Sequence, residues 1–375
     1  MIEIKEKRLC CGCESCVQIC PKQCIEMKED REGFRYPIVN KDACVNCHIC
    51  ESVCPCLQKD KRKSHAPLYT YASYNDNESI RLNSSSGGIF TAIANFILDE
   101  KGVVFGALFN QEMQVCHDYV ERVDDLYKIR GTKYVQSLVS DSYINVKKML
   151  LQGRKVLFSG TPCQIQGLKN YLKKEYDNLF TVDVVCHGVP SPKIWREQLQ
   201  RLFVDEKIFS INFRDKRTGW KSPSVLISSE SHNYLVKGAN DKYMNAFLLN
   251  LSIRPSCYNC PQKPLKSVSD LTLGDLWGVD KILPQLDDNK GTSLILVNTK
   301  KGKSLLDHLS LVLHPIVLDE AIKYNPSICK DSFLPVSRKY FWNTYDRLGL
   351  DKTLQKVKAN KCFRILNRIK RIIKR

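Results

Sequence analysis

Two stretches of the chain carry one cysteine pattern: Cys10-x2-Cys13-x2-Cys16-x3-Cys20-Pro21 and Cys44-x2-Cys47-x2-Cys50-x3-Cys54-Pro55. Three thiolates at this spacing can wrap one face of an iron–sulfur cube. The fourth, set three residues on and followed by proline, points away to a second cube. The pattern therefore predicts two 4Fe-4S clusters, one held by Cys10, Cys13, Cys16 and Cys54, the other by Cys44, Cys47, Cys50 and Cys20. A disulfide framework has no need of two identical copies, and zinc sites bring cysteines two and two rather than as triplets plus Cys-Pro. Cys11, Cys24 and Cys56 fall outside the pattern and read as small buried residues.

Four further cysteines, Cys163, Cys186, Cys257 and Cys260, sit beside Pro or Gly in loops rather than inside apolar runs. Four thiols are what another cube needs. A zinc site on the same four, or Cys163 as a lone nucleophile at a helix start, are the alternatives. His187, next to Cys186, is a candidate acid–base group because an imidazole titrates near neutrality; the plainer reading is a hydrogen-bonded loop residue. Ser85-Ser86-Gly87-Gly88 opens a helix, where caps and backbone N–H groups can also hold an anion. Arg130-Gly131-Thr132-Lys133-Tyr134 sets two cations beside a glycine, which suits a phosphate or a solvated loop.

These residues need elements to place them. Ile25 to Pro37, between the two cysteine copies, reads as a short hairpin. Apolar runs at Tyr69–Tyr74, Gly102–Phe109, Lys155–Ser159, Leu179–Val185 and Thr292–Asn298 read as strands, several of them followed by a tight loop and a helix. That alternation argues for an α/β core with a largely parallel sheet and chemistry at the carboxyl ends of its strands. Short antiparallel strands are expected from Ile208 to Lys237, and mostly helix after Asn298. The predicted organisation is a two-cluster domain over 1–58, a charged linker over 59–68, an α/β core over 69–345 and a basic amphipathic tail over 346–375.

The 375 residues have 43% hydrophobic content, that of an ordinary globular protein. Cluster assembly needs reduced thiols, so a cytoplasmic protein is expected. The start of the chain lacks the apolar run of a signal peptide, and no run approaches about 18 apolar residues. Of the +18 net charge, ten positive charges lie between Lys352 and Arg375, where no Asp or Glu occurs. Leu354, Val357, Ile365, Ile369, Ile372 and Ile373 are expected on one helix face there, with basic residues around them. Such a helix suits an anionic membrane surface, and would place the protein peripherally at the inner membrane face; a solvated helix or an acidic partner are the alternatives. No basic strip interleaved with aromatics appears in the core, so nucleic acid is not an expected partner.

Taken together, Ser84–Phe90, Arg130–Ser137, Phe158–Gln164, Val185–Pro192, Cys257-x2-Cys260-Pro261 and Ser269–Gly278 resemble the coenzyme F420 hydrogenase/dehydrogenase beta subunit family, here behind a bacterial-type ferredoxin domain. The resemblance implies an oxidoreductase. It implies a flavin, FAD, in the α/β domain, with Ser85, Ser86, Gly87, Gly88, Arg130, Thr132, Lys133 and Tyr134 as its contacts. It also implies a third 4Fe-4S cluster on Cys163, Cys186, Cys257 and Cys260, and coenzyme F420 as the hydride partner in archaeal members. No G-x-G-x-x-G fingerprint is present. The function expected is electron transfer between a reduced carrier, such as ferredoxin or F420H2, and an organic substrate such as a cell-surface polysaccharide precursor. A non-catalytic electron-transfer subunit of a larger complex is the alternative.

Overall fold

The computed structural model describes residues 1–58 and 63–373. Lys59 to Arg62 of the expected linker, Lys374 and Arg375 lie outside the described residues, as do the side chains of 370–373, Ile372 and Ile373 among them.

Near the N-terminus, β1 (Ile25–Glu29) and β2 (Arg35–Val39) form an antiparallel hairpin with Ile25 opposite Val39. A one-turn helix lies on either side in sequence, Ser15–Gln18 and Ile49–Ser52, and each is entered through a left-handed residue, Glu14 and His48, both with φ of 59°. Each of these residues follows the first cysteine of its motif by four positions, so the sequence repeat is also a backbone repeat.

The core is an eight-stranded mixed sheet. Its members are β3 (Tyr69–Ser73), β4 (Val103–Phe109), β5 (Val115–Val120), β6 (Val156–Gly160), β7 (Leu179–Val184), β11 (Leu271–Asp275), β12 (Ser293–Val297) and β13 (His314–Pro315), in the order β13-β3-β12-β11-β7-β6-β4-β5. Helices cover both faces, which is why the central strands read as unbroken apolar runs. Val104 and Leu157 pack with the helix Ile89–Asp99 on one side. Val103, Phe105, Val156 and Phe158 pack with Ser142–Leu151 and Pro162–Leu172 on the other.

The sheet is less parallel than the sequence led us to expect. Only the central pairs β11–β7, β7–β6 and β6–β4 are parallel, and the rims are antiparallel. The turn from Phe109 to Val115 is too short for a crossover, so β5 must fold back on β4.

A second, antiparallel sheet of β8 (Ile208–Asp215), β9 (Ser224–Ser229) and β10 (Asn233–Lys237) shares a core with three helices, Pro192–Leu202, Lys242–Leu248 and Arg338–Ala359. The last of these changes the picture of the tail. It runs through residue 346, kinks at Gly349 (φ 70°), and buries Leu354 and Val357 in the core. Those two residues therefore do not share a free face with Ile365 and Ile369, which lie exposed on the separate helix Lys361–Ile373.

Candidate metal centre and cofactor site

The hairpin and the two short helices gather the N-terminal cysteines into two neighbouring sets. Cys10, Cys13, Cys16 and Cys54 are all buried. Cys10, Cys54 and Cys50 neighbour Cys16, and Cys54 and Cys16 neighbour Cys13. The outer set, Cys20, Cys44, Cys47 and Cys50, lines one cavity together with Cys24 and Met1. Cys47 is exposed there, and Cys50 Sγ accepts from the Ile2 N–H at 3.3 Å. Among the described residues no three of His, Cys, Asp and Glu close on the position of a single ion. A cube takes one thiolate at each of four separated irons, so its ligands stand farther apart than those of one ion. Burial pushes the Cys10 thiol up to about 11, so a free thiol there stays protonated at neutral pH and a bound cation would be needed to hold it as thiolate.

The four core cysteines, distant in sequence, also converge. Cys163 lies in the first turn of Pro162–Leu172, where Thr161 and Gln164 form a capping box and Thr161 Oγ1 lies 3.2 Å from Cys163 Sγ. Cys186 follows β7, and Cys257 and Cys260 belong to the turn around Pro255–Asn259. Cys257 is surrounded by Cys186, Cys260 and Cys163, and Cys260 by Cys163 and Cys186. Gly188, at φ +143°, permits this approach: a Cβ there would stand 3.3 Å from Cys257 Cβ.

Sequence reasoning missed Cys11. Its thiol lies close to those of Cys13, Cys163 and Cys56, which puts it between the inner set and the core set. No spacing rule marks it, because the contact to Cys163 exists only once the N-terminal module is docked. Docking is through Ser15 Oγ to Gly167 O (3.0 Å), Asn170 Nδ2 to Val53 O (3.0 Å), the Tyr143 N–H to Gln18 Oε1 (2.9 Å) and the Ser140 N–H to Glu14 Oε2 (2.8 Å). Gly167 allows a close contact, since a Cβ on it would lie 3.0 Å from Cys13 Cβ.

The two loops read as flavin contacts meet: the Thr132 N–H donates to Ser85 Oγ at 2.8 Å. Other expectations for them change. The Gly87 N–H is not free for an anion but donates to Ser293 Oγ at 2.9 Å, and Ser86 Oγ donates to Thr292 O. Gly88 is the left-handed residue before the helix Ile89–Asp99. Arg130 Nε donates to Thr91 Oγ1, and Lys133 Nζ caps the carbonyls of Lys128 and Arg130 at 2.9 Å each. Lys133 thus braces its own loop.

Beside Tyr134 stands Arg214, which sequence reasoning did not single out. It is 6% exposed, its Nη1 donates to Asp275 Oδ2 at 2.6 Å, and its Nε and Nη2 have no partner among the described residues. Asp275 also accepts from Trp220 Nε1 (3.1 Å), and Trp220 stacks on Trp277 at 4.8 Å. Lys216 Nζ binds the carbonyls of Arg81, Ser86 and Lys290, tying this group to the Ser-Gly loop. Two cations on β8 and its exit, buried Arg214 and half-buried Lys216, both near Asp275 at the strand end, are the signal that was there to be read. Orphaned guanidinium donors beside aromatic planes fit an anionic, planar cofactor.

His187 turns away from the thiols. Its Nε2 lies 2.6 Å from Asn250 Oδ1, its ring meets Phe247 edge-on, and its carbonyl accepts from Ser332 Oγ. Burial lowers its pKa, so the ring is neutral at pH 7.

Residues 153–312 match the family model for the C terminus of the coenzyme F420 hydrogenase/dehydrogenase beta subunit, and residues 9–57 match the 4Fe-4S dicluster domain. A match to a 4Fe-4S dicluster domain thus precedes a match to the C terminus of that beta subunit, and the second covers less than half of the chain. It is similar to the coenzyme F420-dependent sulfite reductase of Methanocaldococcus jannaschii, 24% identical over 320 residues, covering 82% of this chain and 47% of that protein. The N-terminal part is similar to a 7Fe ferredoxin of Hydrogenibacillus schlegelii, 42% identical over 41 residues, 11% of this chain and 46% of the other. The chain thus spans about half the length of these curated relatives. Among solved structures, a chain of the F420-reducing NiFe hydrogenase complex of Methanosarcina barkeri aligns at 17% identity and a TM-score of 0.48, over 80% of this chain and 94% of that one. At the level these relationships reach, this is an iron–sulfur redox protein of mixed α/β fold. No helix among the described residues is long and apolar enough to cross a membrane.

Proposed function

We propose that the chain is an iron–sulfur flavoprotein oxidoreductase that passes electrons between a reduced carrier, ferredoxin or F420H2, and an organic substrate. Bound 4Fe-4S clusters would supply one-electron steps, and a bound flavin, FAD, the conversion to hydride transfer. The observation that carries this reading is the succession of neighbouring thiols. Exposed Cys47 shares a cavity with Cys20, Cys44 and Cys50, Cys50 lies near Cys16 of the buried set of Cys10, Cys13, Cys16 and Cys54, and Cys11 lies between that set and Cys163, which neighbours Cys186, Cys257 and Cys260. In this reading the outer set, Cys20, Cys44, Cys47 and Cys50, faces the carrier, and the core set stands next to the flavin. Ser85, Ser86, Gly87, Gly88, Arg130, Thr132, Lys133 and Tyr134 frame the flavin site, and Arg214 adds its two unpartnered donors to a phosphate or ring oxygen. His187, neutral and held by Asn250, is the acid–base candidate.

The helix Lys361–Ile373 presents Ile365, Leu366 and Ile369 to solvent among basic residues, which supports a peripheral role at an anionic membrane face. Lipid-linked precursors of cell-surface polysaccharides are substrates in keeping with that location. A second reading, a relay subunit without its own substrate, is favoured by the chain's match to only 47% of the sulfite reductase.

Anaerobic reconstitution with iron, sulfide and flavin assays tests the proposal. About twelve irons and one flavin per chain are expected, with Cys163→Ser falling toward about eight and losing flavin reduction. Unchanged iron and flavin reduction in Cys163→Ser reject the core cluster. No flavin after reconstitution leaves the relay reading.

A further inference from the structure

Arg254 is 1% exposed and belongs to the core, immediately before the turn that carries Cys257, yet its guanidinium is spent on the N-terminal module. Nε donates to Cys10 O at 2.7 Å, and Nη2 to Arg35 O at 2.9 Å and to Cys10 Sγ at 3.4 Å, while Nη1 holds Gln136 Oε1 at 2.9 Å. Tyr36 and Phe34 present their rings to it at 4.4 and 5.4 Å. Gly12, at φ +71°, leaves the room: a Cβ there would stand 2.8 Å from Nη1.

Among the described residues no carboxylate pairs with this cation. Glu14, an acid within its influence, pairs instead with Arg35 at 3.7 Å and accepts from the Ser140 N–H. A buried charge without a counter-charge is expensive, so its placement calls for an anion at the site it faces. Cys10 Sγ is that site. A 4Fe-4S cube on four thiolates is net negative before and after it accepts an electron.

The inference rests on the reading in which Cys10, Cys13, Cys16 and Cys54 hold a cluster. We infer that Arg254 is a positioning and potential-setting residue: it raises the reduction potential of the inner cluster above that of the outer one, so that an electron arriving at Cys47 moves inward. One electron leaves the outer cluster and one enters the inner, with no bond or proton exchanged. Two effects compete. Burial alone disfavours adding negative charge to the inner cluster, whereas a fixed cation one hydrogen bond from its ligand sulfur favours it. At the outer set the cations in view are the Met1 amine, which is paired with Glu51 at 3.0 Å, and exposed Lys22, both screened by water. The docked core therefore sets a property of the N-terminal module that the module's own cysteine motif does not.

The test is a redox titration of the full-length, reconstituted protein followed by electron paramagnetic resonance, with iron measured on each sample. In the parent, the two N-terminal clusters should titrate apart. Arg254→Gln should lower the higher potential by at least 59 mV, a tenfold change in a one-electron equilibrium, and leave the lower one in place. Arg254→Lys, which keeps the charge, should recover most of the shift. Full iron with unmoved potentials in Arg254→Gln overturns the inference. If the variants lose iron, the parent decides. A soluble dysprosium complex broadens the signal of the cluster next to exposed Cys47, and that signal must be the lower-potential one; broadening of the higher-potential signal, or equal potentials, overturns the inference. Parent iron well short of about eight per chain after reconstitution defeats instead the cluster reading on which it rests.

Discussion

The tip of the N-terminal hairpin is clamped to the core by ion pairs and hydrogen bonds, of which Arg338–Glu32 is the most buried pair, and removing it should open the hairpin by a measurable amount. Arg338 Nη1 and Nη2 donate to Glu32 Oε1 and Oε2 at 3.1 and 2.5 Å, and both side chains are 13% exposed. Gly33, at φ +84°, lets the tip approach: a Cβ there would collide with Lys193 Cβ. Glu32→Gln keeps the shape and removes the charge. Breaking a fully buried pair costs about 3–5 kcal/mol, because the other charge is left alone. Here Arg338 keeps Tyr258 OH (2.8 Å) and Ile253 O (3.1 Å), and some water reaches it. We therefore expect about 2 kcal/mol, or roughly a thirtyfold rise in the opening equilibrium. Native-state hydrogen exchange reads this directly: the β1–β2 amides should lose protection by that factor while those of β6 keep theirs. Adding Arg338→Met to Glu32→Gln should cost less than the two single changes summed, since the stranded charge is gone. A change under threefold at the hairpin, or an equal loss at β6, would refute the reasoning.

Three other outcomes follow from side chains already described. His117 is buried between Ser137 Oγ (2.9 Å) and Ser159 O (3.0 Å), and desolvation lowers its pKa from 6.5 to about 4. The unfolded chain takes up a proton that the folded one refuses, so stability is complete above pH 6.5 and falls as pH drops toward 4. The loss between pH 7.5 and 5 is about 2 kcal/mol, and an equally steep fall of the urea midpoint in His117→Gln would contradict this. Arg214→Lys retains a cation for Asp275 but lacks the two orphaned donors; flavin affinity, read by fluorescence quenching, should drop at least about tenfold, and an unchanged affinity removes Arg214 from the site. Deleting residues 361–375 should abolish sedimentation with vesicles rich in anionic lipid, where each basic residue near the surface contributes about 1 kcal/mol; undiminished binding excludes the tail as the contact.

Local pattern alone marked a two-cluster domain at the eight N-terminal cysteines and suggested how they divide, because ligand spacing along a short chain limits which thiols can share a cube. It also placed the hairpin, the buried central strands and the antiparallel strands of β8 to β10, where burial on one or both faces leaves a period in the residues themselves. The rims of the large sheet were not legible in the same way. Strand direction depends on how far each connection must travel, and an apolar run looks alike in either direction. Leu354 and Val357 misled for a related reason, since helical spacing marks an apolar face without saying whether the core or solvent receives it. Only tertiary structure decided the contacts that carry no sequence period: Cys11 against Cys163, Arg214 with its unpartnered donors beside Tyr134, and Arg254 reaching back across 244 residues to Cys10. Each is made by packing one module on another, and the free energy that holds a charged or thiol group there comes from its surroundings rather than from its neighbours in the chain.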